Sequence, residues 1–460
     1  MSGSALHIRP IPYADPAEAF APLAGRARAV LLDAPRGGRY ALIAADPFRW
    51  LTVDGGGPRI DGAPAAGDPF ALLAAELRRH TLPAAEEGAP GPGAIGLFGY
   101  ELGRFVERLP WHGPDRLATP DMAVGLYDTV AVYDTAERRA WIAASGLPEP
   151  PGPARTARAA ARAEELAAWL AAPAAIPDTG ATAQWAFELT PEQYRARVGR
   201  VLDYIVAGDI FQANFTQRAF APLPAGLAPY ALYRRLRRLS PAPFGAYFDF
   251  DGGQLLSASP ERFLSVDAAG LVRTEPIKGT RPRGAAPEAD ARLAAELKAS
   301  AKDRAENLMI VDLLRNDLGR VCAVGSIRVP ELWGLRSFET VHHLVSTVEG
   351  RLRPGLGPVD LLRAAFPGGS VTGAPKIRAM EIIHELEPGR RGAYCGSIAR
   401  IGFDGTMDSS IVIRTLTVAE GIVTAQAGGG IVADSDPAAE FEESLVKMRA
   451  LLRALSEERA

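Results

Sequence analysis

The chain has 460 residues, 47% hydrophobic and 23% charged, a composition that suits a folded globular protein with a large core and excludes a disordered or fibrous one. With 51 basic and 54 acidic side chains the net charge is -3, so the counterion release that drives nucleic-acid binding has no source. Cys322 and Cys395 lie far apart without a CxxC, which argues against a disulfide framework or zinc site and suits the cytoplasm, and no apolar run approaches the ~20 residues that span a bilayer.

Residues 1–145 read as a mixed domain, with strand-like runs such as ALIAADPF and VAVYDTAERRAWIAA between Gly-Pro clusters. Residues 146–184 read as a linker: PEPPGP, one Ala-Arg-Glu surface helix, then APAAIPDTGAT. The third stretch, 185–460, opens with a predicted helix. Thr190 is its N-cap, Pro191 its first residue and Gln193 completes a capping box, while Tyr194, Val198, Val201, Leu202 and Ile205 mark one apolar face and Gly208 ends it.

The motifs with chemistry fall in this stretch. In SASPERF, Glu261 follows an apolar run and can act as a general acid if burial raises its pKa, although a strand-edge Glu-Arg pair fits as well. In TEPIKGTRPR, Lys278 sits between a proline-ended strand and a Gly-Thr turn; partial desolvation would make its amine a nucleophile, while the motif alone fits a surface loop better. KDRAENLMIVDLLRNDLGR reads as a helix carrying Glu306 one turn before Met309 and Ile310, a candidate ligand for a hard divalent cation. PGGSVTGAPK places free backbone N–H groups just before a helix starting near Pro375, which favours an anion, but it lacks the GK[ST] ending of a nucleotide loop.

In SDPAAEFEESLVKMRALL, Asp436 caps and Pro437 begins a helix. Glu440, Glu443 and Lys447 then share one polar face within about 60°, with a separate stripe of Phe441, Leu445, Met448 and Leu452 predicted for the core. The polar face fits a solvated salt-bridge surface equally well. Three glycines, Gly428 to Gly430, permit close backbone approach to a ligand. His343 is a possible donor or a satisfied core histidine, and Arg414, interrupting an alternating strand, is an outward-facing residue or a fork for a carboxylate.

Taken in order and spacing, SASPERF, PIKGTRPR, AENLMIVDLLRNDLGR, HHLVS, FPGGSVTGAPK, YCGSI, GGGIVADSDP and AEFEESLVK resemble the chorismate-utilising enzymes over roughly residues 185–455. GLFGYELGR and LLDAPRGGRYALIAADP are similar to the looser N-terminal domain of the anthranilate and aminodeoxychorismate synthase large subunits. The resemblance implies an α+β fold, antiparallel sheets packed as a sandwich and flanked by helices. It implies Mg2+ held by Glu306, Glu440 and Glu443, and a doubly negative substrate, chorismate, met by Arg414, Lys447, His343, Asn214, Gly279, Thr280, Gly373, Ala374 and Gly428 to Gly430.

Within the family, anthranilate synthases typically read PIAGT where this chain reads PIKGT, the aminodeoxychorismate pattern; Asn214 in FQANFTQR points the same way. That branch implies a covalent Lys278 intermediate with Glu261 as acid, and conversion of chorismate and ammonia to 4-amino-4-deoxychorismate for 4-aminobenzoate and folate. It also implies ammonia from a separate glutaminase, since neither cysteine sits in a nucleophile elbow. Anthranilate synthase component I, isochorismate synthase and a silent regulatory subunit are the alternatives. Some relatives bind tryptophan through LLxS; here LLDA puts Ala34 in place of the serine, which argues against that effector site.

Overall fold

The computed structural model describes residues 6–35, 37–84, 89–110, 113, 119–337 and 341–456. Its frame is two sheets of twelve strands each. The first runs His7–Ile11, Arg139–Ala144, Thr129–Asp134, Tyr40–Ala44, Val30–Asp33, Phe244–Asp249, Gly253–Ser259, Thr415–Ala419, Ile422–Ile431, Gln212–Pro222 and Ala186–Phe187, with Gly373–Ala374 pairing beside Gln212–Pro222. The second runs Ile277–Pro282, Val341–Arg351, Leu271–Thr274, Arg262–Val266, Met407–Ile411, Ser397–Gly402, Gly93–Phe98, Met122–Tyr127, Arg49–Asp54, Gly57–Ile60 and Ala63–Pro64, with Arg328–Ser337 beside Val341–Arg351. Neighbours along both pair antiparallel, as the resemblance implies.

Helices cover the outer faces. Pro153–Leu170, Pro229–Leu239 and Pro437–Ser456 share a core with the first sheet. Pro69–Arg79, Ala301–Gly319 and Pro358–Ala365 share one with the second. Between the sheets lies a third core that includes Val30, Trp50, Leu97, Tyr127, Val132, Phe248, Ile398 and Val412. Covered on both sides, Gly93–Phe98, Met122–Tyr127 and Ser397–Gly402 are buried at every residue, which is why the first two run apolar instead of alternating; in the third the buried Arg400 donates to the Gly91 carbonyl.

The described residues of 1–145 form no sheet of their own. Val30–Asp33 pairs with Phe244–Asp249 in the first sheet, and Gly93–Phe98 pairs with Ser397–Gly402 over six residues in the second. The stretch 146–184 therefore divides the order of the chain but not its sheets. Its helix, Pro153–Leu170, buries Ala159, Ala163 and Leu166, and Arg162 reaches Asp128 and Asp46. Pro191–Val206 forms with the predicted capping box, burying Tyr194, Val198 and Val201; Leu202 and Ile205 are half-buried, and Gly208 follows in the left-handed region.

Deleting residues 1–145 would bare Tyr247, Phe248 and Ile398, now at most 3% exposed, at about 1.5–3 kcal/mol each, and leave two sheet edges unpaired. We expect residues 146–460 expressed alone to aggregate; a soluble fragment that unfolds cooperatively in size-exclusion and denaturation experiments would contradict this.

Candidate active site

Lys278 lies on the edge strand Ile277–Pro282, where pairing with Val341–Arg351 shifts register between Ile277 and Thr280. This irregularity re-aims the lysine, as bulges beside functional sites do. Gly279 makes it possible: its φ is +83°, and a Cβ there would stand 2.9 Å from the Asp303 side chain. The half-buried Lys278 points its Nζ at the Ser370 carbonyl, 3.5 Å away. Burial pulls its pKa below the usual lysine value, opposed by the nearby carboxylates of Glu306, Glu261 and Glu443 and assisted by Lys447. The amine thus faces two of the three predicted metal carboxylates and the predicted acid.

Glu261 follows Gly253–Ser259 where the chain crosses from the first sheet to the second. It is 7% exposed, and burial raises its pKa to about 7 against a hydrogen bond from Ser370 and the charge of Lys278. Its carbonyl accepts from Ile411 N, and its own N–H donates to Ser259 Oγ. A carboxyl that carries its proton near neutrality is a competent general acid. Ser370, which touches both Lys278 and Glu261, was not foreseen; a hydroxyl in a glycine-rich loop has no spacing signal of its own.

The helix Pro437–Ser456 supplies the second wall. Its buried side is Glu440, Ser444, Met448, Leu451, Ala454 and Leu455, while Phe441, Leu445 and Leu452 are half-buried. The stripe is thus rotated from the predicted one and takes Glu440 with it. Gly429 gives the reason: a Cβ there would fall 2.8 Å from Glu440 Oε2, 3.6 Å from Lys447 Nζ and 3.8 Å from Glu443 Oε1. Glu440, 6% exposed, has its pKa raised by burial and accepts from Ser435 Oγ at 2.6 Å. At Glu443 burial works against the charge, but Lys447, Lys302 and Lys278 outweigh it and hold the carboxyl below its usual value. Lys447 Nζ bonds Glu443 at 2.6 Å and the Gly428 carbonyl at 3.0 Å.

Glu306, on Ala301–Gly319, faces this wall from the other side. Burial raises its pKa against Lys278 and Lys302, the latter 4.0 Å away, with Asp303 and Glu443 adding to the rise. Among the described residues no three His, Cys, Asp or Glu side chains close up tightly enough to hold a metal unaided. Magnesium commonly takes only one or two carboxylates, completing its shell with substrate and water. Glu440 and Glu443, whose oxygens gather beside the side-chain-free Gly429, fit that mode.

Arg414 does not interrupt one strand. It joins two: Met407–Ile411 belongs to the second sheet and Thr415–Ala419 to the first, and Arg414 takes φ 53° between them. Its Nη1 donates to the Lys447 carbonyl at 2.6 Å; burial lowers its pKa while Tyr394 and Glu443 support the charge. His343 pairs opposite Thr280, with Nδ1 2.9 Å from Thr280 Oγ1, and hydrogen-bonds the Gly279 backbone. Burial lowers it to about 4, so the ring is neutral at pH 7 and braces the lysine turn.

Asn214 and the loop Pro367–Lys376 meet through the backbone: Asn214 N donates to the Thr372 carbonyl at 2.7 Å, and Asn214 pairs with Gly430. Gly373, at φ 151°, and Ala374 pair with Gln212 and Ala213, where a Cβ on Gly373 would stand 2.2 Å from the Gln212 carbonyl. The helix that follows is Lys376–Leu386, and Lys376 itself is turned away into Asp317 and the Ala365 carbonyl. The large cavity of about 610 Å3 lies elsewhere, lined among others by Leu32, Asp33 and Ala34 of LLDA.

Residues 29–453 match the family model described as chorismate binding enzyme. The chain belongs to that family. This chorismate-binding enzyme is 43% identical to the aminodeoxychorismate synthase component 1 of Klebsiella aerogenes over 450 residues, covering 95% of each chain. It is 45% identical to the anthranilate synthase component 1 of Thermus thermophilus over 366 residues, 79% of this chain and 77% of that one. Anthranilate synthase component I of Streptococcus pneumoniae superposes with a TM-score of 0.79 at 32% identity, covering 91% and 93%. The Escherichia coli isochorismate synthase MenF, at 18% identity and TM-score 0.75, shares the fold.

A carboxyl whose folded pKa lies above its unfolded value costs stability as pH rises through that interval. Glu261, raised from 4.5 to about 7, should therefore destabilise the fold above pH 7 by on the order of 3 kcal/mol and cost nothing below pH 4.5. Glu261→Gln is expected to raise Tm at pH 8 and leave it nearly unchanged at pH 4.5 to 5; equal shifts at both pH values would remove the case for a buried, proton-retaining acid.

Proposed function

We propose that this chorismate-binding enzyme is an aminodeoxychorismate synthase that uses Lys278 as a covalent nucleophile. Identity to relatives does not separate the branches, since synthases of both kinds match at 43% and 45%. The observation that carries the reading is Lys278 itself: an amine with a depressed pKa, beside a carboxyl near 7, facing Glu306 and Glu443. An alanine at that position would leave C2 of the ring open to ammonia, the route to anthranilate.

In this reading the neutral Lys278 amine bonds to C2, the ring double bonds shift, and the C4 hydroxyl leaves as water with the Glu261 proton. Ammonia then adds at C4, the double bonds shift back and the bond from C2 to Lys278 breaks. The new ammonium returns one proton to Glu261, giving 4-amino-4-deoxychorismate and the starting enzyme. Burial of the amine serves this sequence by raising the share of free amine at neutral pH.

Glu440, Glu443 and Glu306 would hold Mg2+, which when bound offsets their repulsion of a dianion and neutralises a substrate carboxylate. Lys447, Arg414 and the backbone of Gly428 to Gly430 and of Gly373 and Ala374 would meet the remaining charge, with Gly279, Thr280, His343 and Asn214 shaping the pocket. Ammonia would come from a glutaminase subunit in trans. The name of the relatives, component 1, supports such a partner, and so do the two cysteines: both are buried, with Cys395 pushed up to about 12, so neither is a thiolate nucleophile. A cytoplasmic setting and a role in making 4-aminobenzoate for folate follow from this reading.

With chorismate, Mg2+ and ammonium salt, mass spectrometry should find 4-amino-4-deoxychorismate, not anthranilate or isochorismate. Lys278→Ala should lose about 100-fold or more of C4 amination, or shift product to the C2 amine, with the fold intact by circular dichroism. Aminodeoxychorismate at the parental rate would end the covalent mechanism. Separately, Glu443→Gln should need about tenfold or more extra Mg2+ for half-maximal rate; a magnesium titration superimposable on the parent's would refute the ligand role.

A further inference from the structure

The register shift between Ile277 and Thr280 leaves Lys278 and Gly279 without partners in the strand ladder, and Gly279 adds its own conformational freedom. The aim of the amine must therefore be fixed at the ends of the irregular stretch. Downstream, Thr280 and His343 do this. Upstream, the Pro276 carbonyl accepts two hydrogen bonds, from Ser346 N at 3.3 Å and from Asn307 Nδ2 at 3.4 Å.

Asn307 is 0% exposed and sits on the Ala301–Gly319 helix beside Glu306 and one turn after Asp303, whose side chain packs on Gly279. Its Oδ1 accepts from Ser346 Oγ, and that hydroxyl accepts from Trp333 N at 2.9 Å. Trp333 holds φ 58°, rare for a bulky residue, donates its indole N–H to the Arg304 carbonyl at 3.1 Å, and lies under the Arg304 guanidinium, 3.9 Å from the ring centroid. The bonds form a closed circuit from the helix through Trp333 and Ser346 back to Asn307, with the lysine's strand hung from it at Pro276.

We propose that Asn307 is a positioning residue that sets the aim of Lys278 by clamping the Pro276 carbonyl and fixing the lysine's strand to the helix that carries Glu306. The side chain is suited to it: one amide supplies the donor for the carbonyl and the acceptor for the hydroxyl, and a buried group in that place cannot leave either unmet without cost. This inference rests on the reading of Lys278 as nucleophile, but its physical content, the environment of the amine, can be measured without turnover.

The test uses the full chain with Mg2+, chorismate and ammonium salt, with folding followed by circular dichroism. Asn307→Ala should lower kcat by roughly 100-fold with KM for chorismate changed less than about threefold, because misplacement by about 1 Å is costly to reaction and not to binding. In the same variant without substrate, the pH midpoint for acylation of Lys278 by acetic anhydride, quantified by peptide mass spectrometry, should move up towards that of an ordinary lysine. Ser346→Ala, which removes only the hydroxyl link, should shift both readouts the same way by a smaller amount, and it decides the matter if Asn307→Ala fails to fold. Unchanged kcat and acylation midpoint in the folded variant, or a rise in KM alone, would overturn the proposal. Should Lys278→Ala retain C4 amination, the covalent reading falls while the acylation midpoint still reports on the clamp.

Discussion

The arrangement turns on removing an amine from water among opposing charges. Desolvation drives Lys278 towards neutrality, while Glu306, Glu261 and Glu443 draw it back towards the cation. In the proposed reaction neither tendency can win outright: a fully charged lysine could not attack, and one with no carboxylates nearby would keep only its hydrogen bond to the Ser370 carbonyl. Glu261 experiences the mirror image, kept protonated by burial and pulled towards the anion by the same lysine. Two groups that would each titrate far from neutrality in water are brought towards each other by a shared, partly dry space.

That space exists because the two sheets meet there. The lysine's strand lies at the edge of the second sheet, Gly428 to Gly430 lie in the first, and Glu261 and Arg414 stand where the chain passes between them. The helices at either side each bring carboxylates, Glu306 from one layer and Glu440 and Glu443 from the other. Glycines provide the clearance. A side chain at 279 would strike Asp303, and one at 429 would strike the Glu440 carboxylate.

Local chemistry was legible in the sequence wherever it was written within a few residues. The capping box at Thr190 and Gln193, the Pro437 helix start and the shared face of Glu440, Glu443 and Lys447 all follow from spacing. The fold class and family came from the order of many motifs together. What spacing could not supply was anything set by partners distant in the chain. Arg414 looked like a break in one strand because the change of sheet has no local signature. The helix stripe was drawn one step away from the observed one because the absence of a side chain at Gly429 decides the rotation. Ser370 and Asn307 are ordinary polar residues until Lys278 and Pro276 are placed beside them, and the merging of residues 1–145 into both sheets depends on pairings such as Ile95 with Arg400, more than 300 positions apart.

The three residues Val412, Ile413 and Arg414 are all that separates a strand of one layer from a strand of the other. So short a tether makes the spacing between the layers and the placement of Arg414 a single mechanical variable, and through the Lys447 carbonyl it reaches the helix that bears Glu440 and Glu443. A slide of one layer against the other cannot be absorbed by slack in the chain; it would be transmitted to the guanidinium and from there to the acidic wall.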